Sequence, residues 1–356
     1  MPRTPAYHYD LNSIYSQNLH GVKTDTRLGE FLGTCKLRKA FAVCGQETWR
    51  SGLDTVQQDG YTFIAVGPPQ QQGRGSAGVS ITLSHLATAA WERAGRELHV
   101  DLGPRLMAVR LEVRCGWRGR AYHQRMSIFM VSSYAPDSSK PAAELEAYYA
   151  NLAVLIARRR PGDVLVVGTD ANASIGCGSL SDGSGGTGAV GLHGLLHMNL
   201  AGRRLRSFLE SHELCSLASF YPKRHYGTWI HPRSKLEHQL DHIFISQAHR
   251  CRIRDAGSCP FQLISSDHRA VGCKMRFAVS LQRKADPRAP LLRLDTDSLY
   301  TIEGQQTYAR RAVQCIEPSP PLSGQTQIDT SRPSLTQPDG TCPQPSRSPS
   351  LADPRD

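Results

Sequence analysis

Several residues able to do acid–base or phosphate chemistry stand where apolar runs end. The stretch from Asp163 to Ala173 reads DVLVVGTDANA. Its apolar part ends at Gly168, and Asp170 and Asn172 follow with one residue between them. In an extended segment, side chains two apart point the same way. A carboxylate that takes a proton from water and an amide that holds a phosphate oxygen would then face one point. The same two residue types also terminate strands by bonding to their own backbone, so a plain turn accounts for them equally well. Further on, ISSDHRAV places Asp267 and His268 just before an apolar run. The histidine could donate to a phosphate and the aspartate could bind a cation. In LDHIFIS, Asp241 opens a strand and could orient a histidine ring. Near the front, FAVCGQETW places Glu47 after a strand. One Glu is enough for Mg²⁺, which keeps much of its water. Asn18 ends the first strand, and Tyr134 ends another just before Pro136. A tyrosine there either donates to a phosphate oxygen or packs in the core.

The elements that must position these groups are legible as alternating apolar runs and turns. Strands are expected over Ser13–Gln17, Ala40–Cys44, Tyr61–Val66, Gly78–Leu83, Leu106–Val113 and Ser127–Ser133. Others follow over Val164–Val167, Gln239–Ser246 and Ala270–Phe277. Their Val, Ile and Phe content suits buried strands. Helical spacing marks Pro141–Arg160, with proline near its start, and Leu200–His212. Strands outnumber helices and the helices lie between them, which predicts a layered α/β sandwich. Each candidate residue falls at or near a strand end, where such sheets carry their sites. The Gly- and Ser-rich stretch Cys177–Gly194 reads as a mobile loop beside one of those ends.

The composition bounds the partners. The formal net charge is +11. Residues 281–356 carry nine basic and nine acidic side chains, so the whole excess lies in the first 280. A basic globular domain suits a polyanion, although excess charge also serves solubility. No run of eighteen apolar residues occurs, so no membrane helix is expected. Met1–Asp10 does not have the pattern of a secretory signal. The ten cysteines form no C-x-x-C pair, and Cys44, Cys215 and Cys273 sit in apolar surroundings. A reducing, intracellular setting is expected. After Cys315 the chain turns to Pro, Ser, Gln and Thr, so 315–356 is expected to be disordered. The expected organisation is a domain over 1–280, a connecting segment over 281–314, and that tail.

In order, Asn18, Gln46-Glu47, Tyr134-Ala135-Pro136, Asp170-x-Asn172, Asp241 and Ser266-Asp267-His268 resemble the motif series of the endonuclease/exonuclease/phosphatase superfamily. The resemblance covers about residues 10–280. Within it, TDANASIG, YGTWIHPRSKLEHQLDHIFIS and SSDHRAV look most like nuclease domains of non-LTR (LINE-type) retrotransposons and their craniofacial-development-type relatives. LLRLDTDSLYTIEGQQTYARRAV resembles the segment that connects such a domain to a reverse transcriptase, but no polymerase motif follows. The resemblance implies a four-layered α/β sandwich with two packed mixed sheets flanked by helices. It implies Glu47 as main Mg²⁺ ligand, helped by Asn18 and Asp267, with Mn²⁺ able to substitute. It implies Asp170 as activator of the attacking water, Asn172 and Tyr134 as grips on the scissile phosphate, and His268, oriented by Asp241, as the group that offsets developing charge. A phosphodiester is anionic, so a cation and donors must offset charge before water attacks.

Two departures stand out. The usual Gly-Asp-x-Asn is here Gly168-Thr169-Asp170-Ala171-Asn172, and His20 stands where some repair endonucleases place a metal-binding acid. The second favours a lone-Glu metal site. Thr228 and Trp229 precede the LDHIFIS strand and could form part of a substrate groove, where Trp229 either stacks on a base or packs in the core. Three functions follow: a DNA endonuclease, an inositol or lipid phosphatase of the same chemistry, or an idle nucleic-acid-binding remnant. The string Gln239-Leu240-Asp241-His242 lacks the Trp-Cys-Asp-Arg type of the inositol phosphatases and favours the nuclease. A nuclear location is expected from the substrate alone.

Overall fold

Apolar runs bounded by polar turns become strands, and their order builds two sheets. The computed structural model describes residues 9–69, 77–115, 124–178 and 188–278, with 305–306. The chain divides into Met1–Pro287 and Arg288–Asp356, and the first unit carries all that follows. The expected connecting segment and tail lie outside the described residues, apart from 305–306, and so does half of the Gly- and Ser-rich loop.

In chain order the elements are β1 (Tyr9–Asn18), α1 (Asp25–Leu37), β2 (Ala40–Gln46), β3 (Leu53–Gln58), β4 (Tyr61–Val66) and β5 (Val79–Ser84). Next come α2 (His85–Arg93), β6 (Leu98–His99), β7 (Leu106–Cys115), β8 (Gln124–Tyr134), α3 (Ala142–Ala157) and β9 (Val164–Asp170). The last are α4 (Leu200–Ser211), β10 (Leu214–Ser216), β11 (Trp229–Ile230), β12 (Glu237–His238), β13 (Asp241–Ser246), β14 (Ile253–Ser258) and β15 (Val271–Ala278). One sheet runs β10-β13-β9-β8-β7, and the other runs β15-β1-β2-β5-β4-β3 with β14 on β15. A single pairing, Ala278 with Arg114, joins them. Each is mixed: β8 and β9 are parallel in the first, β1 and β2 in the second, and the other neighbours are antiparallel.

The two sheets pack face to face. Ile14, Ile81, Met107, Met130, Val166, Ile243 and Met275 fill the layer between them. Toward the ends of β1, β2 and β9 this layer turns small and polar. Gly168 there has no room for a side chain, because a Cβ would lie 2.5 Å from Cβ of Cys44 on the facing sheet. Ser132 Oγ donates to Gly45 O at 3.2 Å across the same gap. Outside the first sheet, α3 and α4 bury Tyr148, Leu152, Leu155, Leu205 and Leu209 against Phe129, Leu165 and Phe244. Outside the second, α1 buries Leu28, Phe31, Leu32 and Cys35 against Val43, Phe63 and Ala65. This is the expected four-layered sandwich. Cys44, Cys215 and Cys273 are core residues, as their surroundings predict. Among the described residues, no helix is long and apolar enough to cross a membrane.

The expected strands and both expected helices are present. α1 was not foreseen, although its buried residues recur at three and four positions and Thr24 caps it by accepting from Arg27 N. Gly29 and Gly33 inside it dilute helix preference. β9 continues three residues beyond the expected end at Val167, so Asp170 belongs to the strand.

One buried ion pair fixes the far side of the first sheet. Arg110 on β7 donates to Asp163 at 2.5 Å, and both residues are under a tenth exposed. Asp163 also accepts Arg160 N at 2.8 Å. Removing one partner leaves an uncompensated buried charge. Asp163→Ala is therefore expected to cost about 3–5 kcal/mol, read as a lower urea midpoint. A midpoint equal to wild type would show that the pair is idle.

Candidate active site

Strand register brings the candidate residues of the first sheet into one row. Tyr134 on β8 pairs with Asp170 on β9, and Asp170 pairs with Asp241 on β13. In the second sheet Asn18 on β1 pairs with Gln46 on β2, so Glu47 follows directly. Both rows lie at the polar end of the interlayer, and hydrogen bonds link them. Asn18 Nδ2 donates to Glu47 Oε1 and to Asp170 Oδ2, both at 3.0 Å. Tyr134 OH donates to the same Glu47 oxygen at 2.7 Å. Glu47 takes a left-handed backbone, φ 51°, which a non-glycine residue adopts at a cost. The Gly21 N–H, donated to its carbonyl at 2.8 Å, helps hold it there.

The second centre is an Asp–His pair. Asp241 Oδ2 lies 2.8 Å from His268 Nδ1, and both side chains are buried. Asp170, Asp241 and His268 bring one ligand-type atom each within 4.8 Å of one another. Burial opposes a charge on His268, yet Asp241, Asp170 and Asp267 together push it up to about 10. Burial and the neighbouring Asp241 push Asp170 up to about 7, against His268 and the Asn18 amide. Tyr134 is raised by burial and by Glu47 and Asp170, so it stays a proton donor. Asp267 sits at the rim, with His20 Nδ1 at 3.2 Å on one oxygen and Trp229 Nε1 at 3.1 Å on the other. Burial opposes its ionisation, but His268, the Trp229 N–H and His20 outweigh it and lower its pKa.

Two details differ from the extended picture of the sequence. Asn172 has φ 47°, so the chain turns there instead of continuing straight. Its N–H donates to Asp170 Oδ1 and its Nδ2 to Ala135 O, each at 3.0 Å. Asn18 turns its NH₂ toward the two carboxylates, while its Oδ1 accepts His20 N at 3.0 Å. Trp229 is half-buried at the site rim and lies outside the core clusters.

Sequence reasoning missed Gln17 and Arg27, and it missed the backbone-holding role of Thr228. Gln17, fully buried, donates to Ile264 O and His268 O at 3.2 Å and accepts Leu263 N at 2.7 Å. Arg27 donates to Gly21 O at 2.5 Å and Ser265 O at 2.6 Å, tying the loop after Asn18 to the loop before His268. Thr228 Oγ1 accepts Leu240 N at 2.9 Å and Asp241 N at 3.1 Å, fixing the start of β13. A glutamine inside a buried strand is a readable signal, because a buried amide needs partners.

The donor set fits a hard divalent cation. Glu47, Asp170, Asp241 and Asp267 gather in a chain whose net charge is +11, and His268 alone among the predicted site groups carries positive charge. Carboxylates from both sheets converge on one amide nitrogen, and Asp241 Oδ1 is buried without a hydrogen-bond partner. Oxygen donors of this kind suit Mg²⁺ or Mn²⁺.

Two packed mixed sheets flanked by helices give the fold of endonuclease/exonuclease/phosphatase-type proteins, as the motif order led us to expect. No protein-family profile matches the chain. Craniofacial development protein 2 of Bos taurus is 27% identical over 157 residues, 44% of this chain and 26% of that protein's length. The match therefore spans about a quarter of that relative. AP endonuclease LMAP from Leishmania major superposes with a TM-score of 0.52 at 12% identity, over 78% of this chain and 92% of that one. The 3' phosphatase NExo from Neisseria, bound to a product DNA hairpin, gives 0.50 at 16% identity, over 74% and 99%.

Proposed function

We propose that this chain is a divalent-metal-dependent phosphodiesterase that cuts DNA backbones as an endonuclease of the retrotransposon-derived kind. The observation that carries this reading is the single row Tyr134–Asp170–Asp241, with His268 on one side and Glu47 on the other. Each group has a task in phosphodiester hydrolysis. Asp170 takes the proton of a water as its oxygen bonds to phosphorus and the bond to the leaving sugar oxygen breaks. Its raised pKa makes it a better base than an ordinary aspartate. The Asn18 and Asn172 N–H groups fix its two oxygens. His268, kept charged by Asp241, offsets the charge that builds on the phosphoryl oxygens. The Tyr134 hydroxyl is a donor within the same cluster. Glu47, with Asp267 at the rim, would hold the cation, which supplies Lewis-acid offset of the phosphate charge. The names of the structural neighbours support a DNA substrate: LMAP is an AP endonuclease and NExo is bound to product DNA. A DNA substrate also suits the net charge and an intracellular, nuclear place of action.

The full chain with Mg²⁺ is expected to convert supercoiled plasmid to nicked circles, and EDTA to stop it. Release of phosphate from inositol phosphates with no nicking would select the phosphatase reading. Inertness on plasmid, abasic duplex and single strand alike would select the idle binding remnant.

A further inference from the structure

Beyond the Asp–His pair, a line of rings leaves the site along the hairpin β11–β12. His268 and Trp229 have ring centroids 6.3 Å apart, and their backbones form an isolated bridge. Trp229 pairs with His238 across the hairpin, with centroids 5.6 Å apart. His231 lies 5.4 Å from Trp229, and His197, from the neighbouring loop, lies 5.8 Å from His238. His231 is fixed in place, because its Nδ1 accepts the N–H groups of Arg233 and Ser234. Leu196, next to His197 in the chain, and Leu236, next to the hairpin strand of His238, are 86% and 62% exposed. The catalytic reading uses none of these rings except His268.

We infer that this strip stacks unpaired bases of the strand being cut, so that the preferred substrate carries single-stranded or unstacked nucleotides beside the scissile phosphate. The inference rests on the nuclease reading and deepens it. A phosphate gains little from a tryptophan face and exposed leucines. Planar bases gain from ring and apolar contact together. Bases inside a continuous duplex have their faces covered by their neighbours and show only edges. A strip of rings beginning at a catalytic histidine therefore selects bases already freed. The geometry keeps strip and chemistry in register, since Trp229 Nε1 also holds Asp267.

Two duplexes of one sequence test this, one continuous and one with a short unpaired bubble at the cut position. The full chain with Mg²⁺ is expected to cut the bubble at least about tenfold faster, within the range of stacking contributions. The double variant His197→Ala, His231→Ala is expected to lower the bubble-to-duplex ratio about tenfold or more. Trp229→Phe keeps a ring and is expected to keep the ratio whatever its overall rate, whereas Trp229→Ala loses it. In a binding arm without turnover, Asp170→Ala protein is titrated with a labelled single-stranded oligonucleotide. Adding the two histidine changes is expected to weaken that binding by a similar factor. Equal ratios in wild type and double variant, or unchanged oligonucleotide binding, would overturn the strip. Absence of cutting on every substrate would overturn the nuclease reading instead, while the binding arm still decides on the strip.

Discussion

Asp170→Asn is expected to leave the chain folded and to lower the proposed cleavage rate by about a hundredfold to ten-thousandfold, the range lost with a general base. The side chains are nearly identical in shape, so Ala171 and Asn172 keep their turn. What disappears is the ability to accept a proton, together with the hydrogen bond from the Asn18 amide, which now meets an NH₂ in place of an oxygen. The same change separates catalysis from stability. Burial and Asp241 raise the pKa of Asp170 from 3.8 to about 7. A carboxyl whose folded pKa is raised destabilises the fold as pH rises above the unfolded value, fully so above the folded one. The amide removes that burden, so the variant's unfolding midpoint at pH 8 should equal or exceed that of wild type. A large fall in midpoint would mean that lost activity reports lost structure, and Asp170 would no longer be assignable as the base.

Asp241→Asn is expected to cost about a hundredfold or more at pH 8, as when an aimed charge-stabilising donor is lost. The amide oxygen can still accept from His268 Nδ1, so the ring keeps its direction. Its charge does not survive. In wild type, Asp241 and the other acids hold His268 at about 10 against burial, from an ordinary 6.5. Without the principal counter-charge, burial draws that value down. Wild-type cleavage should therefore persist through the weakly alkaline range, while the variant loses rate as pH rises through neutrality. The stability linkage has the same sign. The pair's contribution is complete below pH 6.5 and fades as pH rises through about 10. Parallel pH profiles for the two proteins would remove Asp241 from this role.

Much of this site is visible in the sequence because its members sit where apolar runs stop. The strands holding Asp170 and Asp241 announce themselves through Val, Ile and Phe, and their terminal polar residues follow. Long-range partners are not visible. Gln17 acts on residues about 250 positions away, and although a buried glutamine signals that it needs partners, nothing local says which ones. Thr228 reads as half of a groove motif, yet its hydroxyl is spent on the backbone that starts β13. The left-handed turn at Asn172 and the direction of the Asn18 amide depend on Ala135 and Glu47, which directly follow other strands. The edge strand β3, LDTVQQ, escapes the hydrophobic pattern because most of it faces solvent. Trp229 could be placed either in the core or in the groove from its type alone. Its N–H to Asp267 puts it at the rim.

The central claim is that Glu47, held by Asn18 and Tyr134, anchors a divalent cation beside Asp170 and His268. Titrating the full chain with Mn²⁺ while following the free ion by electron paramagnetic resonance tests this without any substrate. Wild type should take up one ion, and Glu47→Gln should weaken that uptake at least about tenfold. Equal uptake by both proteins, or none by a wild type that still nicks plasmid in EDTA, would contradict it.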